Sequence, residues 1–282
     1  MILYDGPAVG KSSRERRRGE GKRPAPAGAR KAVPVKTLDR VLSRAGIGSR
    51  TQAAEWIAAG RVRVNGRIVR SAETWVDPVR DLIGFDGQRV GPGAAERTYL
   101  LFYKPEGCLT TRTDPAGRRT VFDLLPRDLP YLFPVGRLDL NTSGLLLLTN
   151  NSAFAERITN PDFKIPKTYL VKSATALSSE QLDSLARGVV LKDGPTRPAR
   201  VARLREVDGE TEFEITLTEG RNRQVRRMVE AVGSTVLTLA RIAIGPLRIG
   251  DLPIGRFRPL DPAEVQALCG PLPGERDAGE GA

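Results

Sequence analysis

Residues 136–150, Gly-Arg-Leu-Asp-Leu-Asn-Thr-Ser-Gly-Leu-Leu-Leu-Leu-Thr-Asn, constrain the fold more than any other stretch. A tight polar segment, Gly136 to Ser143, runs straight into four consecutive leucines, Leu145 to Leu148. An apolar run this short, bounded by turn formers, reads as a strand buried on both faces. Asp139 then stands at the mouth of a core strand, beside Arg137. A carboxylate there is either a turn-former or a positioned reactive group. Spacing alone favours the turn-former, because Asp is common in turns for local hydrogen-bonding reasons.

The chain falls into five parts. Its 282 residues suffice for two domains with at least one sizeable core. Residues 1–36 hold ten Lys/Arg against three acids, a surplus of seven within a net charge of +12. This tail is Arg-, Gly- and Pro-rich without periodicity, so disorder is expected. Residues 37–90 read as a small module, 91–96 as a linker, 97–270 as the larger domain and 271–282 as a second disordered tail.

In the module, Leu38, Val41, Leu42 and Ala45 fall on one helical face. Ser49 and Gln52 make a capping box for a second helix, which buries Ala53 and Ile57. Asn65-Gly66 joins two alternating segments into a hairpin whose valines face inward and whose Arg61 and Arg63 face out. In the larger domain, strands are predicted at Tyr99–Tyr103, Lys167–Val171, Glu212–Leu217 and from Val236. Short helices are predicted to start at Ser152, at the Ser178/Gln181 capping box, at Arg223 and at Asp261. Strands interrupted irregularly by short helices indicate an α+β fold with a mostly antiparallel sheet.

Composition narrows the chemistry. The surplus of positive charge points to a polyanionic partner, nucleic acid first. There is no histidine and there are only two cysteines, Cys108 and Cys269. Histidine triads, His-Glu zinc proteases and His/Cys zinc deaminases are thereby excluded, and a structural zinc lacks its ligands. No metal is expected. No signal peptide or membrane-length apolar run is visible, so a cytoplasmic location with no membrane partner is expected.

Three places in the larger domain can carry chemistry: Asp139 with Arg137, Tyr169 beside Lys167, and the run Glu219-Gly220-Arg221-Asn222-Arg223-Gln224-Val225-Arg226-Arg227-Met228. Four arginines within seven residues, beginning near a helix N-terminus, suit a phosphate or a buried carboxylate. They equally suit a wet helix face.

Together with Lys104-Pro105 and Gly107, Arg112-Thr113-Asp114-Pro115, Thr120 to Pro126 and Pro134-Val135, these segments resemble the RsuA/RluB-like ribosomal pseudouridine synthases, closest to the large-subunit branch. Residues 38–69 resemble the small RNA-binding domain first named from a ribosomal small-subunit protein. The resemblance covers about residues 37–268. It implies a pseudouridine synthase domain behind an RNA-binding domain of two helices and a hairpin. It implies Asp139 as the essential carboxylate, Tyr169 stacked on the target base, and Arg226 paired with Asp139. Arg44, Arg50, Arg61 and Arg63 would contact RNA from the module, and Arg137, Lys167, Arg221 and Arg223 would hold phosphates at the site. The reaction would turn a uridine of ribosomal RNA, in the large subunit, into pseudouridine without a cofactor. The partner would be ribosomal RNA or an assembling subunit, and the protein a monomer. The alternatives are a synthase acting on small-subunit RNA or tRNA, and a non-catalytic ribosome-assembly protein in which Asp139 is only a turn residue.

Overall fold

The structure is a computed structural model and describes residues 35–90 and 97–270. The basic tail up to residue 34, the linker 91–96 and the segment 271–282 lie outside the described residues.

The N-terminal module packs α1 (Leu38–Arg44) and α2 (Arg50–Ala58) on a sheet of β1 (Val62–Val64), β2 (Arg67–Ile68), β3 (Ile83–Phe85) and β4 (Gln88–Val90), in the order β2-β1-β3-β4. The capping box of α2 forms in both directions: Gln52 N donates to Ser49 Oγ and Ser49 N to Gln52 Oε1. Asn65 and Gly66 take positive φ of 50° and 80°, as the hairpin requires. A second hairpin, turned by Asp86-Gly87 at φ of 48° and 81°, joins β3 to β4. Leu38, Leu42, Ala53, Ile57, Val62 and Ile83 make the core.

The larger domain is built on one sheet. Its main strands are β5 (Tyr99–Lys104), β6 (Ser143–Thr149), β7 (Lys167–Ser173), β8 (Arg200–Val207), β9 (Glu210–Leu217), β10 (Val236–Ile244) and β11 (Phe257–Pro259). They run in the order β8-β9-β7-β10-β6-β5-β11, with Leu247–Arg248 added on β10 and Phe133–Pro134 on β6. The pairings are antiparallel except β6 with β10, which is parallel and joins Ser143 to Ala240 and Gly144 to Arg241. The helices are α3 (Ser152–Thr159), α4 (Ser179–Arg187), α5 (Gln224–Ala231) and α6 (Pro262–Cys269).

The four leucines of β6 are buried on both faces because each face has its own cover. Leu145 and Leu147 pack with Phe154 and Ile158 of α3 and Leu268 of α6. Leu146 and Leu148 pack on the other side with Val121, Leu132 and Leu138. A third cluster, with α4 and α5 over β7, β9 and β10, holds Leu182, Leu185, Phe213, Ile215, Val225, Met228 and Val229. The parallel β6–β10 step lies where these clusters meet. Gly144 makes that step possible: at φ +108°, a Cβ on it would lie 2.2 Å from Arg241 O.

Local details depart from sequence expectation in three places. Asn151, not Ser152, caps α3, accepting from the Ala153 and Phe154 amides. Arg223 is not inside α5 but is its N-cap, in the left-handed region at φ 48°. Strand β8 was not anticipated. It is a mostly exposed edge with no apolar alternation, held by its ladder with β9.

Candidate active site

Asp139 lies on a turn closed by the Thr142 amide, which donates to Asp139 O at 3.1 Å. Three separate elements clamp this turn by its backbone. Lys104, the last residue of β5, is wholly buried. Its Nζ donates to the carbonyls of Pro105 (3.0 Å), Asp139 (3.1 Å), Leu140 (3.4 Å) and Thr142 (2.8 Å). Burial lowers the Lys104 pKa, while Cys108, Glu106 and Asp139 pull it back up. Thr110 Oγ1 donates to Leu138 O at 2.7 Å and accepts from Leu138 N at 3.2 Å. From α5, Arg226 Nη2 donates to Asn141 O at 2.6 Å and Nη1 to Val236 O at 3.1 Å.

These clamps all take main-chain groups, so the carboxylate of Asp139 is left over. Among the described residues no hydrogen bond or ion pair engages it. It lines a cavity of about 400 Å³ together with Tyr169, Arg137, Lys167, Arg221, Arg223 and Arg241. Of the residues expected at the site, five therefore line one concavity with Asp139, and Arg226 does not.

The expected ion pair between Arg226 and Asp139 is not formed in this structure. Arg226 lies on the buried face of α5 with Val225, Met228 and Val229, and it meets the turn one step further along, at Asn141. Burial and the neighbouring Arg223 push its guanidinium below the ordinary value. Glu106 and Asp139 act the other way, so the two groups feel each other without direct contact. Arg226 holds the turn rather than the carboxylate.

The remaining cations divide by partner. Arg221 is clasped by the carbonyls of Asp193, Gly194 and Pro195 and by Glu219. Arg227 pairs with the Asp193 carboxylate at 2.8 and 3.1 Å. Gln224 stitches the same turn, accepting from Arg221 N and donating to Glu219. Arg223 and Arg137 are exposed at the cavity rim. Lys167 Nζ donates to Ile158 O at 2.9 Å, and burial, then Arg241, lowers its pKa to about 8. Tyr169 sits opposite Arg241 across the β7–β10 ladder.

A carboxylate without a partner, on a backbone-clamped turn, facing an aromatic ring and several cations, can meet an electrophilic carbon in a negatively charged substrate. The RNA pseudouridylate synthase family model matches residues 98–231, which contain the whole of this cavity wall up to α5. An uncharacterised RNA pseudouridine synthase from Aquifex aeolicus is 40% identical over 234 residues, covering 82% of this chain and 92% of its own. The chain belongs to the RNA pseudouridine synthases. The ribosomal large subunit pseudouridine synthase B of Bacillus subtilis is 39% identical, covering 83% of the synthase described here and 96% of its relative. The enzyme of that name from Vibrio cholerae is 41% identical, over 82% and 73%. A crystal structure of a pseudouridylate synthase superposes with a TM-score of 0.60 at 32% identity, over 82% of this chain and 99% of that one.

The S4 domain model matches residues 36–79 of the synthase. Its four expected RNA contacts differ in what already holds them. Arg50 Nε donates to Asp39 at 2.7 Å. Arg61 pairs with Asp86 and lies over the rings of Trp56 and Phe85, at 5.6 and 4.8 Å from their centroids. Arg63 donates to Gly66 O at 3.0 Å. Arg44, at the end of α1, is exposed and makes no hydrogen bond or ion pair among the described residues.

Two buried cations of the synthase escaped sequence reasoning, Lys104 and Arg241. Each carried a signal: a charged residue at an inward position of an otherwise apolar strand, Leu-Leu-Phe-Tyr-Lys and Leu-Ala-Arg-Ile-Ala-Ile. Among the described residues, no cluster of three or more His, Cys, Asp or Glu could hold a metal, and no helix is long and apolar enough to cross a membrane.

Proposed function

We propose that this synthase converts a uridine of large-subunit ribosomal RNA to pseudouridine, with Asp139 as the essential carboxylate. The observation that supports this most is the unpaired Asp139 side chain on its clamped turn, in one cavity with Tyr169 and a set of cations. The large-subunit assignment rests on the names of the Bacillus and Vibrio relatives.

The reaction exchanges one bond to the sugar for another. The C1′–N1 bond breaks, and its electron pair stays on the uracil. The Asp139 carboxylate then bonds to C1′, or takes the 2′ proton to leave an unsaturated sugar. The ring turns over, and C5 bonds to C1′. The carboxylate leaves C1′, or the sugar regains its proton at C2′. The C5 proton passes to water, directly or with the Tyr169 phenol as a relay, and N1 takes up a proton in its place. The base never departs, so on this reading no cofactor enters. Such chemistry requires the nucleotide to leave its stack. Tyr169 offers a face for the detached ring. Arg137 and Arg223 at the rim, with Arg44 and its neighbours in the S4 domain, would hold phosphates on this reading. Arg221 is occupied by carbonyls and acts as a strut for that rim. A cytoplasmic monomer working on an RNA or an assembling particle accords with this role.

Mapping pseudouridines in ribosomal RNA from cells with and without the gene tests the proposal. Loss of one modification in the large-subunit RNA is the expected outcome. Loss only in the small-subunit RNA or in tRNA would overturn the substrate assignment.

A further inference from the structure

Among the described cations that line the cavity, Arg241 alone is buried and keeps a donor, Nη2, without a partner. It is 5% exposed. Its Nε donates to Leu145 O at 2.8 Å, which fixes the side chain against β6. Its Nη2 is buried with no hydrogen-bond partner, and no carboxylate of the described residues lies within ion-pair range. An unpaired buried donor on a charged group is costly. Arg221 and Arg226, by contrast, spend their Nη groups on backbone carbonyls. The backbone around Arg241 is shaped to place it here: Gly144 lets β10 approach β6 at Arg241 itself, closer than any side chain would allow.

Its neighbours indicate what it awaits. Arg241 faces Tyr169 across the ladder, so it sits beside the ring expected to receive the uracil. Lys167, two residues before Tyr169, is a second part-buried cation that bonds only a carbonyl, and it feels the Arg241 charge. The exposed Arg137 and Arg223 are at the rim, where a hydrated phosphodiester can stay. The group that travels deepest is the base.

We propose that Arg241 binds a carbonyl oxygen of the uracil and stabilises the negative charge that the ring acquires as the C1′–N1 bond breaks. The pair left on N1 spreads through the ring amides onto O2 and O4. A donor fixed before the reaction, in a site with little water, is worth most against charge that develops only there. Nη2 gains its partner as the substrate gains its charge. When C5 bonds to C1′ the ring is neutral again; the C5 proton then leaves as N1 takes up a proton, so the ring stays neutral and the interaction weakens in time for release. This inference rests on the proposed Asp139 chemistry but names a separate residue and a separate step.

The test uses the full-length synthase and RNA extracted from cells lacking the gene, grown on C5-tritiated uracil so that every candidate target is present. Arg241→Gln and Arg241→Lys are compared with wild type in single-turnover tritium release at saturating enzyme, with RNA affinity measured alongside. Arg241→Gln is expected to slow release about 100-fold or more with affinity changed by no more than about threefold, and Arg241→Lys to recover part of the rate. The second measurement uses a transcript containing the mapped site with 5-fluorouridine in place of uridine, followed by digestion and mass detection of the altered nucleoside. Fluorine withdraws charge from the ring, so the rate ratio of wild type to Arg241→Lys should shrink on this RNA. A purely structural role would leave that ratio unchanged and would overturn the proposal. So would rates within about threefold of wild type, or a loss confined to affinity. Absence of tritium release by wild type would instead sink the synthase reading itself, which keeps the two failures apart.

Discussion

The cations of the S4 domain and those around the cavity do different work. In the S4 domain, Arg50 and Arg61 are exposed and face carboxylates, Asp39 and Asp86. The Arg61–Asp86 pair is exposed on both sides, so it is weak, whereas Asp39 is buried beneath an exposed Arg50. Arg61 can exchange its carboxylate for a phosphate at little cost, while releasing Arg50 would leave the buried Asp39 unpaired. Around the cavity, Lys104, Arg226 and Arg241 are buried and bond carbonyls instead. Carbonyls leave the cation's net charge uncancelled, so the field reaches the cavity. On the proposed reading, exposed cations with acidic partners supply adjustable affinity for RNA, and buried cations with neutral partners supply geometry and a fixed potential around Asp139.

Substitutions can break this contrast. The largest expected effect is Gly144→Ala. The added methyl carbon would overlap the Arg241 backbone at 2.2 Å, with φ already at +108°. Opening the β6–β10 step should cost about 4 kcal/mol or more. Urea unfolding measures this, and a change below about 1 kcal/mol would show that the step is not tight. Next is Lys104→Met. It leaves four carbonyls around an apolar side chain, at an expected cost of about 2–4 kcal/mol. Turnover should fall about 100-fold as the turn loosens, with RNA affinity nearly kept. If turnover and affinity fell together, Lys104 would belong with the RNA-binding cations.

A smaller effect sharpens the contrast through pH. Burial and Arg241 hold Lys167 near a pKa of about 8, against about 10.4 for an unfolded chain. Between those values the unfolded state keeps a proton that the folded state has lost, so stability rises with pH across that window. Below about 8 the penalty for the buried charge is fully present, and above about 10.4 it is gone. Lys167→Met removes the penalty. The melting temperature of the variant minus that of wild type should therefore fall as pH rises from about 7.5 to about 10. A flat difference would place Lys167 among the solvated cations. The smallest effect is Arg44→Ala. It should weaken RNA binding a few-fold and lower the salt slope by about one unit, without changing the saturated rate. A change in that rate would draw Arg44 into the catalytic group.

What the sequence disclosed was mostly local. The capping boxes at Ser49/Gln52, Ser178/Gln181 and Asp261/Glu264 all form, because each depends on residues three apart. The doubly buried β6 was legible because four leucines in a row fit little else. Strand β8 was not, since its residues are exposed and only the β9 ladder makes them a strand. Its turn, Asp208-Gly209 at φ of 53° and 76°, did carry a hairpin signal that a reading centred on apolar alternation passes over. At the site, motif residues gave the cavity wall but not the pairing. Whether Arg226 meets a carboxylate or the carbonyl of Asn141 depends on how far α5 slides over β10, and no spacing encodes that. Arg241 stayed hidden for a related reason: burial of a strand arginine is decided by the neighbouring strand, through Gly144.

The most direct test compares C5-tritium release by wild type and Asp139→Asn at matched RNA affinity. The carboxamide keeps the shape and the backbone clamp but cannot carry the negative charge. Wild type should release tritium in proportion to the pseudouridine formed, while Asp139→Asn binds RNA within a few-fold and releases none. Release by Asp139→Asn at the wild-type rate would show that the carboxylate is only a turn residue and that the chemistry lies elsewhere.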